Sequence, residues 1–416
     1  MTFFFTLLDD SSRPLGSRDP LGIEYVWSTV GRELVGNLTT ITSHLDNFVL
    51  SLLGYHLCRD AVRGVADWDL FQRFEQLTSR ARVANGSKSG VLGIDRIKRS
   101  SNDPIMLGIS RAAMILSNQR QAGLWGLYTT ALIGAKLLRD DRTTTESGRQ
   151  LAEAVLKDAP NRSWQIALNK SEQNVSPEVF KAVREWVDHL LKKTTKHQYT
   201  LAKALLQIED SPTDKQRAMY EAGVSFLKSD QPRKERTFIQ WLASESPILS
   251  DYAQRVLLLD NALVLASTTF SWLLGNHGKA KSVVCSELGG QMQHWPYQDP
   301  LVPDFSREID NPGWHSRARG LERFCSHMEA SDWEMAIDRL LEHHQTVMAS
   351  RGGVPWCTWE GDQLKVMLRT NPGTLPAGSE ISPDAFEGWM QNQTFGYFLW
   401  SFLAILQQSG LVKGAS

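Results

Sequence analysis

The sequence predicts a mainly α-helical protein with a winged-helix-like N-terminal part, a central helical bundle, and a helical C-terminal part that carries a small β-hairpin. Three observations lead there. Apolar residues recur at spacings of three and four along most of the chain, the period of a helix with one buried face. The stretch from Ile115 to Ala154 reads as helix, Gly-punctuated turn at Gly123 and Gly126, helix, short β-branched run, helix, which is the order of a winged helix. Near the C-terminus, the runs Val354–Trp359 and Leu364–Leu368 flank Glu360-Gly361-Asp362, a hairpin signal.

Taken in order, the first residues, to about Gly22, read as a strand and a loop rich in Pro, Gly and Asp. Leu38, Ile41, Leu45, Phe48 and Leu52 share one helical face, with Asn37 placed to cap it. A second amphipathic helix carries Leu70, Phe71, Phe74 and Leu77, and its polar face continues into Arg80 and Arg82. The Gly/Ser-rich loop from Asn85 to Gly93 leads to Arg96, Lys98 and Arg99. From Arg73 to Arg99 there are seven Lys/Arg against two acids, Glu75 and Asp95, the densest basic stretch in the chain. In the winged-helix-like segment an apolar helix ends at Ile133–Leu138. A polar turn follows at Arg139-Asp140-Asp141, then a β-ribbon spanning Leu137 to Thr145, and Ser147-Gly148 opens the last helix.

A polar stretch from Lys157 to Pro177 with prolines at both ends marks a boundary. Beyond it, Phe180, Val183, Trp186, Val187, Leu190 and Leu191 form one stripe, and Ala218, Ala222, Phe226 and then Phe238, Trp241, Leu242 mark two more helices, joined by short turns as in an antiparallel bundle. The proline-rich Gly289–Gly313 is a connector. Helices resume at Arg317–Ala330 and Asp332–Ala349, and a last one runs from Asp384 to Leu406. The expected domains are therefore 1–160, 161–290 and 291–416.

Composition bounds the function. With 42% hydrophobic and 22% charged residues the chain is an ordinary globular one, and a net charge of −1 supplies no global field toward nucleic acid. Four scattered cysteines without a Cys-x-x-Cys pair suit a reducing compartment. The N-terminus lacks a basic region and a cleavage site, and the apolar segments Val256–Leu274 and Phe395–Leu406 are interrupted or too short to span a bilayer. A cytoplasmic location without membrane contact is expected. There is no Gly-x-Ser-x-Gly elbow and no phosphate-binding P-loop. No metal or other cofactor is expected either: His343 and His344 are adjacent, and Cys325 and His327 are two apart, whereas ligands on one helix face want spacings of three or four.

Three short motifs resemble uncharacterised subunits of bacterial multi-gene phage-defence systems. They are Arg18-Asp19-Pro20-Leu21-Gly22, Gly36-Asn37-Leu38-Thr39-Thr40 and Arg351-Gly352-Gly353-Val354-Pro355-Trp356. The resemblance implies a subunit of a larger assembly and no particular chemistry. The expected function is accordingly a non-enzymatic subunit that binds partner proteins and double-stranded DNA. The residues expected to meet the nucleic acid are Arg80, Arg82, Lys88, Arg96, Lys98, Arg99, Asn118 and Arg120, since phosphate contacts need Lys/Arg on a flexible or exposed element. The apolar Leu124–Leu137 speaks against reading of base edges. The alternative is a nuclease-like hydrolase assembled only in three dimensions, whose nearest carboxylate group is Glu360 and Asp362 with Lys365.

Overall fold

The structure, a computed structural model, describes residues 19–36, 38–59, 67–87, 89–100, 104–157, 165, 168, 173–193, 195–206, 214–292, 301–368, 395–410 and 412. Its helices follow in chain order as α1 (Ile23–Val35), α2 (Leu45–Leu57), α3 (Trp68–Ala84), α4 (Ile94–Arg99), α5 (Gln119–Ala122), α6 (Leu124–Leu127), α7 (Thr129–Gly134) and α8 (Glu146–Lys157). Then come α9 (Pro177–Lys193), α10 (Thr195–Leu205), α11 (Asp214–Lys228), α12 (Glu235–Glu245), α13 (Ser250–Leu273), α14 (Lys281–Met292), α15 (Pro312–Glu329), α16 (Trp333–Ser350) and α17 (Leu399–Gln408). Among the described residues strands are few: β1 (Met106–Leu107) pairs antiparallel with β2 (Gln173–Asn174), and β3 (Cys357–Glu360) with β4 (Gln363–Val366). The expected mainly helical class and the C-terminal hairpin are both present.

Contacts divide the chain into two compact units. The first takes the described residues up to Glu33 and those from Lys234 to Tyr397, and the second those from Leu34 to Arg233 and from Phe398 onward. This differs from the sequential division 1–160, 161–290 and 291–416. The stretch expected to form one central bundle is shared out, with α9 to α11 in the second unit and α12 to α14 in the first. Polar and proline-bearing stretches mark where the chain can turn. They do not say which apolar faces meet afterwards. The α9 stripe, for instance, packs on α3, with Trp186 edge-on to Phe74 at 6.5 Å between ring centroids.

In the first unit α12 and α15 pack on α13, and α14 and α15 pack on α16. By length and composition α13 could cross a membrane, yet 83% of its apolar window is buried inside the protein. Its one buried acid, Asp260, is paired with Arg236, whose guanidinium also donates to Asn261 Oδ1 at 2.8 Å, and the Phe395 N–H donates to Asp260 Oδ1 at 3.2 Å. The hairpin pairs Cys357 with Val366 and Glu360 with Gln363, and turns through Gly361 at φ 65°, a left-handed value that suits glycine.

The second unit is built around α2 and α3. The helix expected over Leu38–Leu52 begins only at Leu45. Thr42 explains the delay: its hydroxyl takes the Thr39 N–H at 2.7 Å and its own N–H donates to the Thr39 carbonyl at 3.1 Å, a local turn that competes with a helix. Asn37, expected as a cap, and the expected N-terminal strand fall wholly or largely outside the described residues. Of the last helix, expected from Asp384 to Leu406, residues 384–394 lie outside them, 395–398 are not helical, and α17 starts only at Leu399. Between Gln119 and Gly134 the chain forms three short helices rather than two long ones. The expected ribbon is a tight hairpin with a single bridge, Leu138 to Thr144, followed by α8.

Candidate nucleic-acid interface

Helix α3 begins where Asp67 accepts the Leu70 N–H at 3.0 Å, and it runs for 17 residues with most of its girth covered. Helix α4 leans on its C-terminal end through a small apolar cluster. Val91, Ile97 and Ile115 are buried, with Val83, Ile94 and Leu116 packed around them. Gly93, at φ 74°, lets the chain enter α4, because a Cβ there would stand 2.3 Å from the Ile115 carbonyl oxygen. With Ile97 turned inward, Lys98 and Arg99 face outward as exposed residues. Arg96 is half-buried and donates to the Arg111 carbonyl. Arg111 is itself exposed, so α4 and the segment beside it carry Arg96, Lys98, Arg99 and Arg111 together. All three basic residues of α4 lie in its last turn, where they also oppose the negative end of the helix dipole.

Two of the expected residues are not part of this face. Arg80 is 9% exposed and Arg82 4%, both in the core around α3. Arg80 donates to the carbonyls of Ala113 at 3.1 Å and Gln76 at 3.4 Å, and burial, with the nearby Arg96 charge, lowers its pKa to about 10. Arg82 donates to Asn47 Oδ1 at 2.5 Å and stands 3.9 Å from Asp46. The expectation that they reach phosphate is corrected: both guanidiniums are buried and turned to internal acceptors. Lys88 lies outside the described residues. Asn118 is exposed but serves as the cap of α5, accepting the Gln121 N–H at 3.3 Å and donating to Gln121 Oε1 at 2.7 Å. Arg120, exposed, sits over the ring of Trp68 at 5.8 Å.

What holds α5 and the segment before it in place is a buried polar ladder on α3. Gln76 exchanges two hydrogen bonds with the backbone of Gly108, at 2.8 and 3.0 Å, and Gln72 donates to the same carbonyl at 3.2 Å. Gln119 donates to Glu75 Oε2 at 2.9 Å, and the Leu124 N–H donates to Glu75 Oε1 at 2.7 Å. Glu75 is fully buried, with no cation against it among the described residues, and burial pushes its carboxyl up to about 7, against the pull of the two hydrogen bonds. The composition of this stretch pointed to a basic surface, and α3 instead turns its polar side chains inward.

Comparison of the chain with protein-family models, curated proteins and solved structures finds no match. The geometry therefore stands by itself. In the first unit it joins two segments far apart in the chain, Asp19–Leu21 and Arg351–Trp356. Arg351 donates to the Asp19 carbonyl and lies 3.3 Å from its carboxylate, His344 Nδ1 donates to the Pro20 carbonyl at 2.9 Å, and the Trp356 N–H donates to His344 Nε2 at 2.7 Å. His343 Nε2 donates to the Leu21 carbonyl at 2.7 Å. Burial lowers both imidazoles to about 4, so they are neutral and act as a clamp between the chain's two distant segments. Among the described residues no group of three or more His, Cys, Asp or Glu side chains is placed to hold a metal ion. Missed at the level of sequence were Arg111 and, on the neighbouring helix α9, the exposed Arg184, which donates to Asn85 Oδ1 at 2.9 Å just past the end of α3. Arg111 lies beside α4 and Arg184 at the end of α3, placements that no local pattern reports.

Proposed function

We propose that this chain is a non-enzymatic subunit of a bacterial multi-protein assembly of the anti-phage kind, cytoplasmic, which binds partner proteins and contacts duplex DNA through the outward face of α4. The observation that carries the reading is the basic group of α4 and its neighbour, exposed at Lys98, Arg99 and Arg111 and half-buried at Arg96. Arg96, Lys98, Arg99 and Arg111 gather there with Asp95 as the one acid of α4, in a chain whose net charge is −1. A local cationic face on a neutral protein suits contact with phosphates and supplies no base reading. In this proposal the segment from α5 to α8 is the winged-helix-like module, with short helices leading into the Leu138–Thr144 ribbon. Ile109, 60% exposed beside Arg111, gives the same face an apolar element for a partner protein. The hydrolase reading finds no comparable support: Lys365 is paired with Glu360 at 2.7 Å across the hairpin, and the Asp362 carbonyl accepts the Lys281 N–H.

The test is to replace Arg96, Lys98 and Arg99 by Ala. Duplex affinity should fall for every sequence tried, and the log–log salt dependence should flatten by about one unit per lost contact. A wild-type protein that does not bind duplex at low salt overturns the reading.

A further inference from the structure

A second set of arginines in the second unit points to a ligand that the α4 face does not explain. The Leu138–Thr144 hairpin turns through Arg139, Asp140, Asp141 and Arg142, closed by the Arg142 N–H to the Arg139 carbonyl at 2.8 Å and the Arg139 N–H to the Thr143 carbonyl at 2.8 Å. Arg142 occupies the last turn position at φ 64°, a left-handed conformation that glycine or asparagine adopts readily and a long side chain does not. Its guanidinium lies 4.9 Å over the ring of Trp125. Its Nε is buried without a hydrogen-bond partner, and among the described residues nothing accepts from its other donors. A half-buried guanidinium with no acceptor, held on a strained turn, is an unusual thing for a fold to keep for its own stability.

Its neighbours share the same sign. Arg59 reaches Thr144 Oγ1 from the end of α2, and its own Nε is likewise buried and unpartnered. Arg139 donates to Thr143 Oγ1 at 3.2 Å and to the Thr144 carbonyl at 3.1 Å. Trp125 meets Trp68 edge-on at 5.3 Å, and Arg120 stands over Trp68. Among the described residues none of these four arginines forms an ion pair. The turn's acids make no ion pair with them among the described residues: Asp141 accepts the Thr143 N–H at 2.9 Å and its hydroxyl at 2.6 Å, with the Arg139 charge acting on it only at longer range, and Asp140 is exposed.

We infer that Arg59, Arg139 and Arg142 form a phosphate-binding site at the Leu138–Thr144 hairpin, with the Arg142 guanidinium on Trp125 as its central donor. An oxyanion there would accept charge-assisted hydrogen bonds from the terminal N–H groups of Arg142, and a fork of N–H groups matches two phosphate oxygens. That the phosphate belongs to a duplex backbone rests on the function proposed above. The existence of the site does not.

The decisive variant is Arg142→Gly. Glycine adopts the turn's φ without strain, so the thermal midpoint should hold or rise while the central donor is lost. Pyrophosphate binding by calorimetry and duplex binding by fluorescence anisotropy should both weaken at least about tenfold. Arg139→Ala, an exposed substitution that spares the core, should weaken both in the same direction. If Arg142→Gly binds both probes as the wild type does, the site is refuted, and the α4 reading survives if its own triple variant still loses duplex. Pyrophosphate binding that depends on Arg142 without any duplex binding supports the site and refutes the nucleic-acid reading. Binding of neither probe by the wild type refutes both. Loss of binding in Arg142→Gly together with a lowered midpoint, with Arg139→Ala unaffected, also overturns the site.

Discussion

Single residues show how far charge type can mislead. Arg80, Arg82 and Glu75 all stand on α3, and by composition alone each belongs on a surface. Each is buried and each acts inside the fold. Glu75 makes the sharpest case, because it is an acid without a counter-ion among the described residues and its carboxyl is pushed up to about 7 by burial. The linkage has a definite sign. A carboxyl whose folded pKa lies above its unfolded value gives its full stability below about pH 4.5 and loses it as pH rises through 7. A shift of this size corresponds to on the order of 3 kcal/mol. Glu75→Gln imitates the neutral acid, and the Gln119 amide can rotate to offer its oxygen. The variant should melt like the wild type near pH 5 and more stably, by about 1–3 kcal/mol, near pH 8. A variant less stable than wild type at pH 8 would show that the carboxylate is the form the fold prefers.

Elements carry the next level of meaning. Helix α16 is readable in the sequence, and its Asp332 cap accepts the Met335 N–H at 3.3 Å as a cap should. What α16 does with its adjacent histidines is not readable. Their side chains point to different neighbours, and they are joined to Pro20, Leu21 and Trp356 only once the first unit is folded. His344 accepts at Nε2 and donates at Nδ1, so a second proton would place two N–H groups face to face at Trp356. Because both rings are held near 4, the unfolded chain takes up protons first, and stability from this clamp is lost as pH falls from about 6.5 toward 4. Arg317, on α15, faces His343 with a positive charge and acts in the same direction, while Asp19 and Arg351 close the clamp at its edge. Asp260, pushed up to about 6 by burial, works oppositely in the same unit, so the local readout matters more than the global one. Hydrogen exchange at the Trp356 amide should accelerate between pH 6 and 4.5 beyond the intrinsic trend, and in His344→Gln that pH dependence should disappear. Protection at Trp356 that is flat with pH in the wild type would remove the clamp's titration from the account.

The whole molecule is organised by returns of the chain. Helix α17 belongs to the second unit although it follows a long excursion through the first. Leu399, Phe402, Leu403, Ile405 and Leu406 are all buried there, Gln408 Oε1 accepts the Leu45 N–H at 2.9 Å, and Ser401 donates to the Thr39 carbonyl at 2.6 Å. Truncation after Tyr397 removes these side chains at about 2–5 kcal/mol each, together comparable to or above the roughly 5–15 kcal/mol by which a domain is stable. The truncated protein should aggregate or lose cooperative melting. A soluble truncation with a sharp transition would show α17 to be an appendage. Trp400, 52% exposed, is the exception on this helix and not part of its anchorage.

Local pattern determined much of this protein by itself. The period of apolar residues placed α3, α9, α15 and α16, the Gly361 turn placed the hairpin, and the basic run placed Lys98 and Arg99 at a surface. These features depend on neighbours within a turn or two, so the sequence carries them directly. Tertiary structure alone decided the rest. It sent Arg80 and Arg82 inward, divided the expected bundle between two units, closed Asp19–Gly22 onto Trp356 through two histidines, and set Arg142 on Trp125 beside Arg59. The physical reason is that burial and hydrogen-bond satisfaction are settled by whichever segments finally meet, and contacts between residues far apart in the chain leave no local periodicity to read.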